Sequence, residues 1–172
     1  MNTSMSWIKR YVPDLDVTPK EYCDAMTLSG TKVETCTYLD KDLDKIVVGR
    51  VLTCEPHPDA DHLHVCKVDV GSGEPLQIVC GAQNFEQGDH VVVAMIGAVL
   101  PGGFEIKKSK LRGVESCGMC CSNRELGLSN DHSGIIVLPE DAPLGVDYAE
   151  YRGLSDTVID CEMTPTVPTA SP

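Results

Sequence analysis

The sequence predicts a mainly β chain, α+β overall, organised around a small closed barrel of five strands. Three observations carry this expectation. Short runs rich in Val, Ile and Thr recur about 8–14 residues apart between Ile46 and Leu138. Turn signals such as Gly71-Ser72-Gly73 and Pro101-Gly102-Gly103 separate them. Helix signals are concentrated before Gly30. A chain of 172 residues has room for one domain of ordinary size plus a smaller piece. Its 42% hydrophobic and 23% charged residues exclude a disordered acidic chain. No apolar run reaches the ~18 residues of a membrane span, and the segment from Met1 to Arg10 lacks the apolar stretch of a secretory signal. A cytoplasmic protein is therefore expected.

Each element follows from local signals. Ser4 to Tyr11 reads as a short helix stopped before Pro13. A second helix opens with Thr18 as N-cap, Pro19 at the first helical position and Glu21 at the capping-box position. Tyr22, Ala25, Met26 and Leu28 give it an apolar face, and Gly30 marks its stop. Thr31 to Leu39 alternates with β-branched residues and reads as a strand. The charged stretch from Asp40 to Lys45 leads into the barrel strands Ile46–Cys54, His62–Val70, Leu76–Cys80, His90–Ile96 and Gly134–Leu138. Glu55 to Asp61 reads as a loop between the first two. Phe104–Arg112 and Val114–Cys120 form a basic strand-and-loop pair in the long excursion before the last strand, and Asn123–Leu128 suits one helical turn. Five strands with a late excursion fit an oligonucleotide/oligosaccharide-binding (OB) barrel, although an SH3-like barrel shares the pattern. Asp156–Cys161 is strand-like again. The three prolines after Thr164, with no packing pattern, read as disorder.

The net charge of −12 argues against a polyanion ligand, but charges act locally because salt screens them within about 8 Å. Between Pro101 and Arg124, Lys107, Lys108, Lys110, Arg112 and Arg124 face only Glu105 and Glu115, a local excess of +3. Such a cluster suits phosphate oxygens, with Ser116, Ser122 and Asn123 adding hydrogen bonds. A solvated hairpin would have the same composition. His57, His62 and His64 with Asp59 and Asp61 resemble a metal cluster, but equally an ordinary Asx-rich loop. Cys117-Gly-Met-Cys120 lacks the second pair that a structural zinc site needs. The nine cysteines read as reduced thiols, several of them small core hydrophobes such as Cys66 and Cys80. No GxSxG, P-loop or HExxH pattern occurs, so neither catalysis nor a cofactor or metal is expected.

The run His57-Pro-Asp-Ala-Asp61-His-Leu-His-Val-Cys66, then Ile78-Val-Cys80-Gly-Ala-Gln-Asn84, Gly97-Ala-Val-Leu-Pro101-Gly-Gly, Lys110-Leu-Arg112-Gly-Val-Glu-Ser116-Cys-Gly-Met119-Cys-Cys-Ser122 and Glu125-Leu-Gly127-Leu resembles the tRNA-binding OB-fold family. The flanks Ser6-Trp-Ile-Lys-Arg-Tyr, Leu28-Ser-Gly30-Thr-Lys-Val-Glu34, Asp131-His-Ser-Gly134-Ile-Ile-Val-Leu-Pro and Val158-Ile-Asp-Cys-Glu-Met-Thr-Pro165 resemble the N-terminus of the bacterial phenylalanyl-tRNA synthetase beta-subunit family.

The resemblance implies a tRNA-binding module at residues 40–150. It is inserted in a small, truncated α/β domain formed by residues 1–39 and 151–165. The chain by itself would have no ligase activity, because in that family adenylation belongs to the partner alpha subunit. RNA contact falls to Lys107, Lys108, Lys110, Arg112, Ser116, Met119, Ser122, Asn84 and Arg124. With aromatic residues at 5%, phosphate contacts rather than base stacking should carry affinity. A structural role in assembling the synthetase heterotetramer is the competing expectation. The open strand edges of the truncated domain favour a homodimer.

Residues 166–172 depart from the family's Asn-Arg-Pro-Asp-Cys-Leu-Ser. Codons ACC GTC CCG ACT GCC TCT CCG encode the observed seven residues, and one A placed before them restores the family's seven. A frameshifted, disordered tail is therefore expected there.

Overall fold

The computed structural model describes residues 1–162; the reading of residues 166–172 lies outside them. The chain forms two compact units, one from Lys41 to Gly153 and one from Met1 to Asp40 together with the segment from Leu154 onward.

The first elements are β1 (Asn2–Ser4), α1 (Met5–Tyr11), α2 (Pro19–Leu28) and β2 (Val33–Tyr38). Ser4 caps α1 by accepting from the Trp7 N–H. The Thr18/Glu21 capping box of α2 is complete: the Thr18 hydroxyl accepts from the Glu21 N–H, and the Glu21 carboxylate accepts from the Thr18 N–H. The barrel unit contains β3 (Ile46–His57), β4 (Ala60–Asp69), β5 (Leu76–Cys80) and β6 (His90–Met95). It continues through β7 (Val99–Leu100), β8 (Phe104–Glu105), β9 (Ser109–Leu111), β10 (Val114–Ser116), β11 (Gly118–Cys120), β12 (Val137–Leu138) and α3 (Tyr148–Tyr151). The last strand is β13 (Thr157–Cys161).

In the smaller unit, β13 lies antiparallel between β1 and β2. Met5, Cys23, Ile159 and Cys161 form its core.

The barrel sheet runs β11-β6-β3-β4-β5, with β12 also on β6. All of these pairs are antiparallel. β3 serves two neighbours: Ile46–Arg50 pair with β6, and Arg50–His57 pair with β4. A register shift between Val51 and Thr53 bends it from one to the other. Gly49 sits in the half of β3 that pairs with β6, where a Cβ would lie 2.7 Å from Val68 Cγ1 and 3.0 Å from Val93 Cγ2. Only glycine lets the barrel wall close that tightly. Val51, Val68, Ile78, Val91 and Val93, all fully buried, fill the interior. The remaining seam between β5 and β10/β11 is closed by a Cys117 N–H donated to Gln77 O (2.7 Å) and a Val79 N–H donated to the Ser116 hydroxyl (3.1 Å). The result is a nearly closed five-stranded antiparallel barrel of OB-like type.

Several expected elements differ in detail. The expected loop Glu55–Asp61 is mostly strand, because Pro58 and Asp59 alone make the turn between His57 and Ala60. The expected strand Phe104–Arg112 is two short pieces separated by Ile106–Lys108. Val114–Cys120 breaks at Cys117, whose N–H turns toward Gln77. Asn123–Leu128 is a turn closed by Leu126 N–H to Ser122 O and Leu128 N–H to Asn123 O, not a helix. The expected closing strand Gly134–Leu138 pairs with β6 only at Val137 and Leu138. The strand β1 and the helix α3, which Asp147 caps, went unpredicted.

Candidate nucleic-acid interface

β9 and β10 form a hairpin whose register places Leu111 opposite Val114, Lys110 opposite Glu115 and Ser109 opposite Ser116. Two residues, Arg112 and Gly113, make the turn, with φ of 49° and 85°. Positive φ at both positions is the type I′ geometry that matches strand twist. Glycine adopts it freely, whereas Arg112 bears a steric cost of about 1–2 kcal/mol in this region. The chain thus holds a cation at a tip where asparagine or glycine would be more comfortable.

Three anchors fix the hairpin to the barrel. The buried Ser116 hydroxyl accepts from Val79 N–H and donates to Gly118 O (3.0 Å), standing in for a missing ladder carbonyl. The Gln77 side-chain amide donates to Glu115 O (2.8 Å). The third anchor is His57, only 5% exposed. Its Nδ1 accepts the Asp59 N–H (3.0 Å), so Nε2 carries the proton and donates to Leu111 O (3.0 Å). Residues 54 positions apart are tied in this way.

The five cations are all exposed. Lys107 pairs with Glu105 (3.0 Å) and Lys108 with Glu115 (2.8 Å). Lys110, Arg112 and Arg124 make no ion pair among the described residues. The hydrogen bond from Lys108 holds the Glu115 carboxyl below its ordinary range and raises the Lys108 ammonium.

Beside the hairpin lies a groove of about 970 Å³. Val79, Met119 and Ile135 contribute apolar surface to it, as do Phe104, Ile106 and Leu111 from the excursion. The cations divide around it. Lys107 and Arg124 line the groove, while Lys108, Lys110 and Arg112 do not. Along β9 the groove-lining residues are Ser109 and Leu111, so the intervening Lys110 belongs to the opposite face.

The polar candidates are engaged inside the fold. Ser122 caps the following turn: its hydroxyl accepts from Glu125 N–H, and the Glu125 carboxylate accepts from Ser122 N–H (2.6 Å). Asn84 clamps Ile135, donating to its carbonyl (2.8 Å) and accepting from its amide (3.0 Å). Both ring nitrogens of His57 are used, and no group of three or more His, Cys, Asp or Glu gathers around a metal position among the described residues. All nine cysteines are free thiols. Sequence reasoning did not single out Phe104, which lines the groove at 62% exposure, or His132, which is also exposed there. One signal was available, since Phe104 is one of two phenylalanines in the chain and follows a Gly-Gly turn.

Comparison with known proteins places this geometry. The chain is 50% identical over 168 residues to the phenylalanine–tRNA ligase beta subunit of Fusobacterium nucleatum, covering 98% of this chain and 21% of that protein. It is 52% identical to the corresponding subunit of Burkholderia lata, covering 93% and 20%. The chain therefore spans about a fifth of the length of these relatives. Among solved structures, the C-terminal domain of Plasmodium vivax p43 aligns with 58% of this chain and 56% of its own at 29% identity and a TM-score of 0.43. A MetRS-related protein from Pyrococcus horikoshii aligns over 58% and 84% at 25% identity and a TM-score of 0.44. The sequence profile of the tRNA binding domain family matches residues 46–147, more than half of the chain and most of the barrel unit, so the chain belongs to the tRNA binding domain family.

Proposed function

We propose that this chain binds tRNA through its sugar–phosphate backbone, using the exposed cations on and beside the β9–β10 hairpin, without reading base sequence. The observation that carries the reading is that Lys110, Arg112 and Arg124 make no ion pair among the described residues and lie exposed on a tRNA binding domain in a chain that is otherwise acidic. Lys107 and Lys108 are each held by a carboxylate and contribute less. Three neutralised phosphates give a slope of log K against log salt of about −2 to −3. The affinity of the chain alone is then roughly micromolar or weaker at physiological salt. Ser116, Ser122 and Asn84 serve this surface by fixing its backbone.

The similarity to ligase beta subunits supports a role for this binding within a phenylalanine–tRNA ligase working in the cytoplasm. The alpha subunit is its partner there and carries the aminoacylation chemistry. The test is a tRNA titration at two salt concentrations with the parent chain and a Lys110→Ala/Arg112→Asn variant. The variant should bind more weakly and flatten the salt slope by about two. An unchanged affinity and slope would refute the assignment of the hairpin to phosphate.

A further inference from the structure

We propose that the groove beside the hairpin receives one unpaired nucleotide of the bound RNA, with its base stacked on Phe104 or His132. The proposal rests on the tRNA-binding reading above and adds a base-accepting site to it.

Charge separates the two surfaces. Among the described residues the outer group of Lys108, Lys110 and Arg112 makes one ion pair, Lys108 with Glu115, leaving a formal excess of +2 that suits phosphate. In the groove, Lys107 and Arg124 are balanced by Glu105 and Glu125. Both of those carboxylates are engaged, Glu105 with Lys107 and Glu125 with the Ser122 amide. A groove with no net formal charge and with mixed polar and apolar lining offers less to a phosphate than to a flat, weakly polar base. Its volume of about 970 Å³ is at the upper end of the ~300–1,000 Å³ typical of small-ligand sites. Phe104 is 62% exposed, so burial in the protein core does not explain a large ring at this place. His132, on the loop that leads to Ile135, brings a second exposed ring to the same groove. Apolar side chains, two exposed rings and two cations lining one groove are the parts of a single-strand stacking platform. Folded RNA presents unstacked bases at its loops, bulges and ends.

The test uses the whole chain and two probes. One is fluorescently labelled tRNA, and the other is a single-stranded RNA tetranucleotide carrying 2-aminopurine, whose emission is quenched on stacking. The variants are Phe104→Ala, His132→Ala and their combination. Both side chains are exposed, so far-UV circular dichroism should match the parent.

The double variant should lose about 5- to 150-fold in affinity, the range for one base–aromatic stack, keep the parent's salt slope and lose the quench. The Lys110→Ala/Arg112→Asn variant should do the reverse, flattening the slope while retaining the quench at saturation. If the ring variants bind both probes as the parent does, the groove proposal falls while the phosphate reading stands. If the hairpin variant leaves affinity and slope unchanged, the phosphate reading falls. An oligo-glutamate peptide that displaces the tetranucleotide and itself requires Phe104 would assign the groove to protein and overturn the proposal.

Discussion

His57→Ala is the most informative perturbation of the hairpin, because it acts on the hairpin from the end of another strand, β3. His57 contributes two hydrogen bonds of 3.0 Å, from Asp59 N–H and to Leu111 O, and buries its ring to 5% exposure. Each bond is worth about 0.5–1.5 kcal/mol net, and the ring adds about 1–2 kcal/mol of burial. The loss is thus about 2–5 kcal/mol in all, and it falls on the attachment of one hairpin rather than on the barrel core. A loss of 2 kcal/mol opens the hairpin about 30-fold more often. Amide hydrogen exchange across Ser109–Ser116 reads that change directly. tRNA affinity should fall by several-fold, because Lys110 and Arg112 must then be ordered on binding. His57→Gln keeps one donor and one acceptor and should restore part of the protection. If exchange in Ser109–Ser116 is unchanged in His57→Ala, the claim that His57 positions the hairpin is wrong.

Five further outcomes follow from the geometry. Glu115→Gln removes the carboxylate that pairs with Lys108 and lies opposite Lys110, so tRNA should bind several-fold more tightly with a steeper salt slope, as read by anisotropy. Because Lys108 depresses the Glu115 carboxyl, the stabilisation from this pair is present above the ordinary carboxylate range and is lost as pH falls through the depressed value; an NMR titration of Glu115 should return toward normal in Lys108→Ala. Gly49→Ala forces a methyl against Val68 and Val93 and should cost about 1–3 kcal/mol, lowering Tm by roughly 4–12 °C in a thermal melt. The Cys80 thiol is favoured as thiolate by a hydrogen bond from Cys120, whereas burial pushes Cys121 up to about 12, so mass spectrometry after iodoacetamide should show Cys80 modified before Cys121. β1 and β2 each pair with β13 alone among the described residues, leaving two open edges, so sedimentation velocity should show concentration-dependent dimers.

What the sequence disclosed, and what it hid, follows the range of the forces involved. The α2 capping box was legible because Thr18 and Glu21 act three residues apart. Gly113 marked the break between Phe104–Arg112 and Val114–Cys120, but Arg112 read as part of the first run although it belongs to the turn. The Glu55–Asp61 stretch misled because proline and aspartate usually mark loops. Here Pro56 still pairs opposite His64, and the His57 ring supplies the acceptor that the turn amide needs. The role of His57 itself depends on Leu111, and no local pattern joins residues that far apart. The cation cluster was visible as composition, but its division was not, because it depends on which face each side chain of β9 takes and on where Glu105 and Glu115 fall. That division matters for function. A uniform basic patch would bind any polyanion, whereas cations set outside a neutral aromatic groove favour a polyanion that also offers an unstacked base. Fully paired RNA offers backbone alone, so the chain should bind a perfect RNA duplex more weakly than tRNA at equal salt; equal affinity for both would leave the groove without a role.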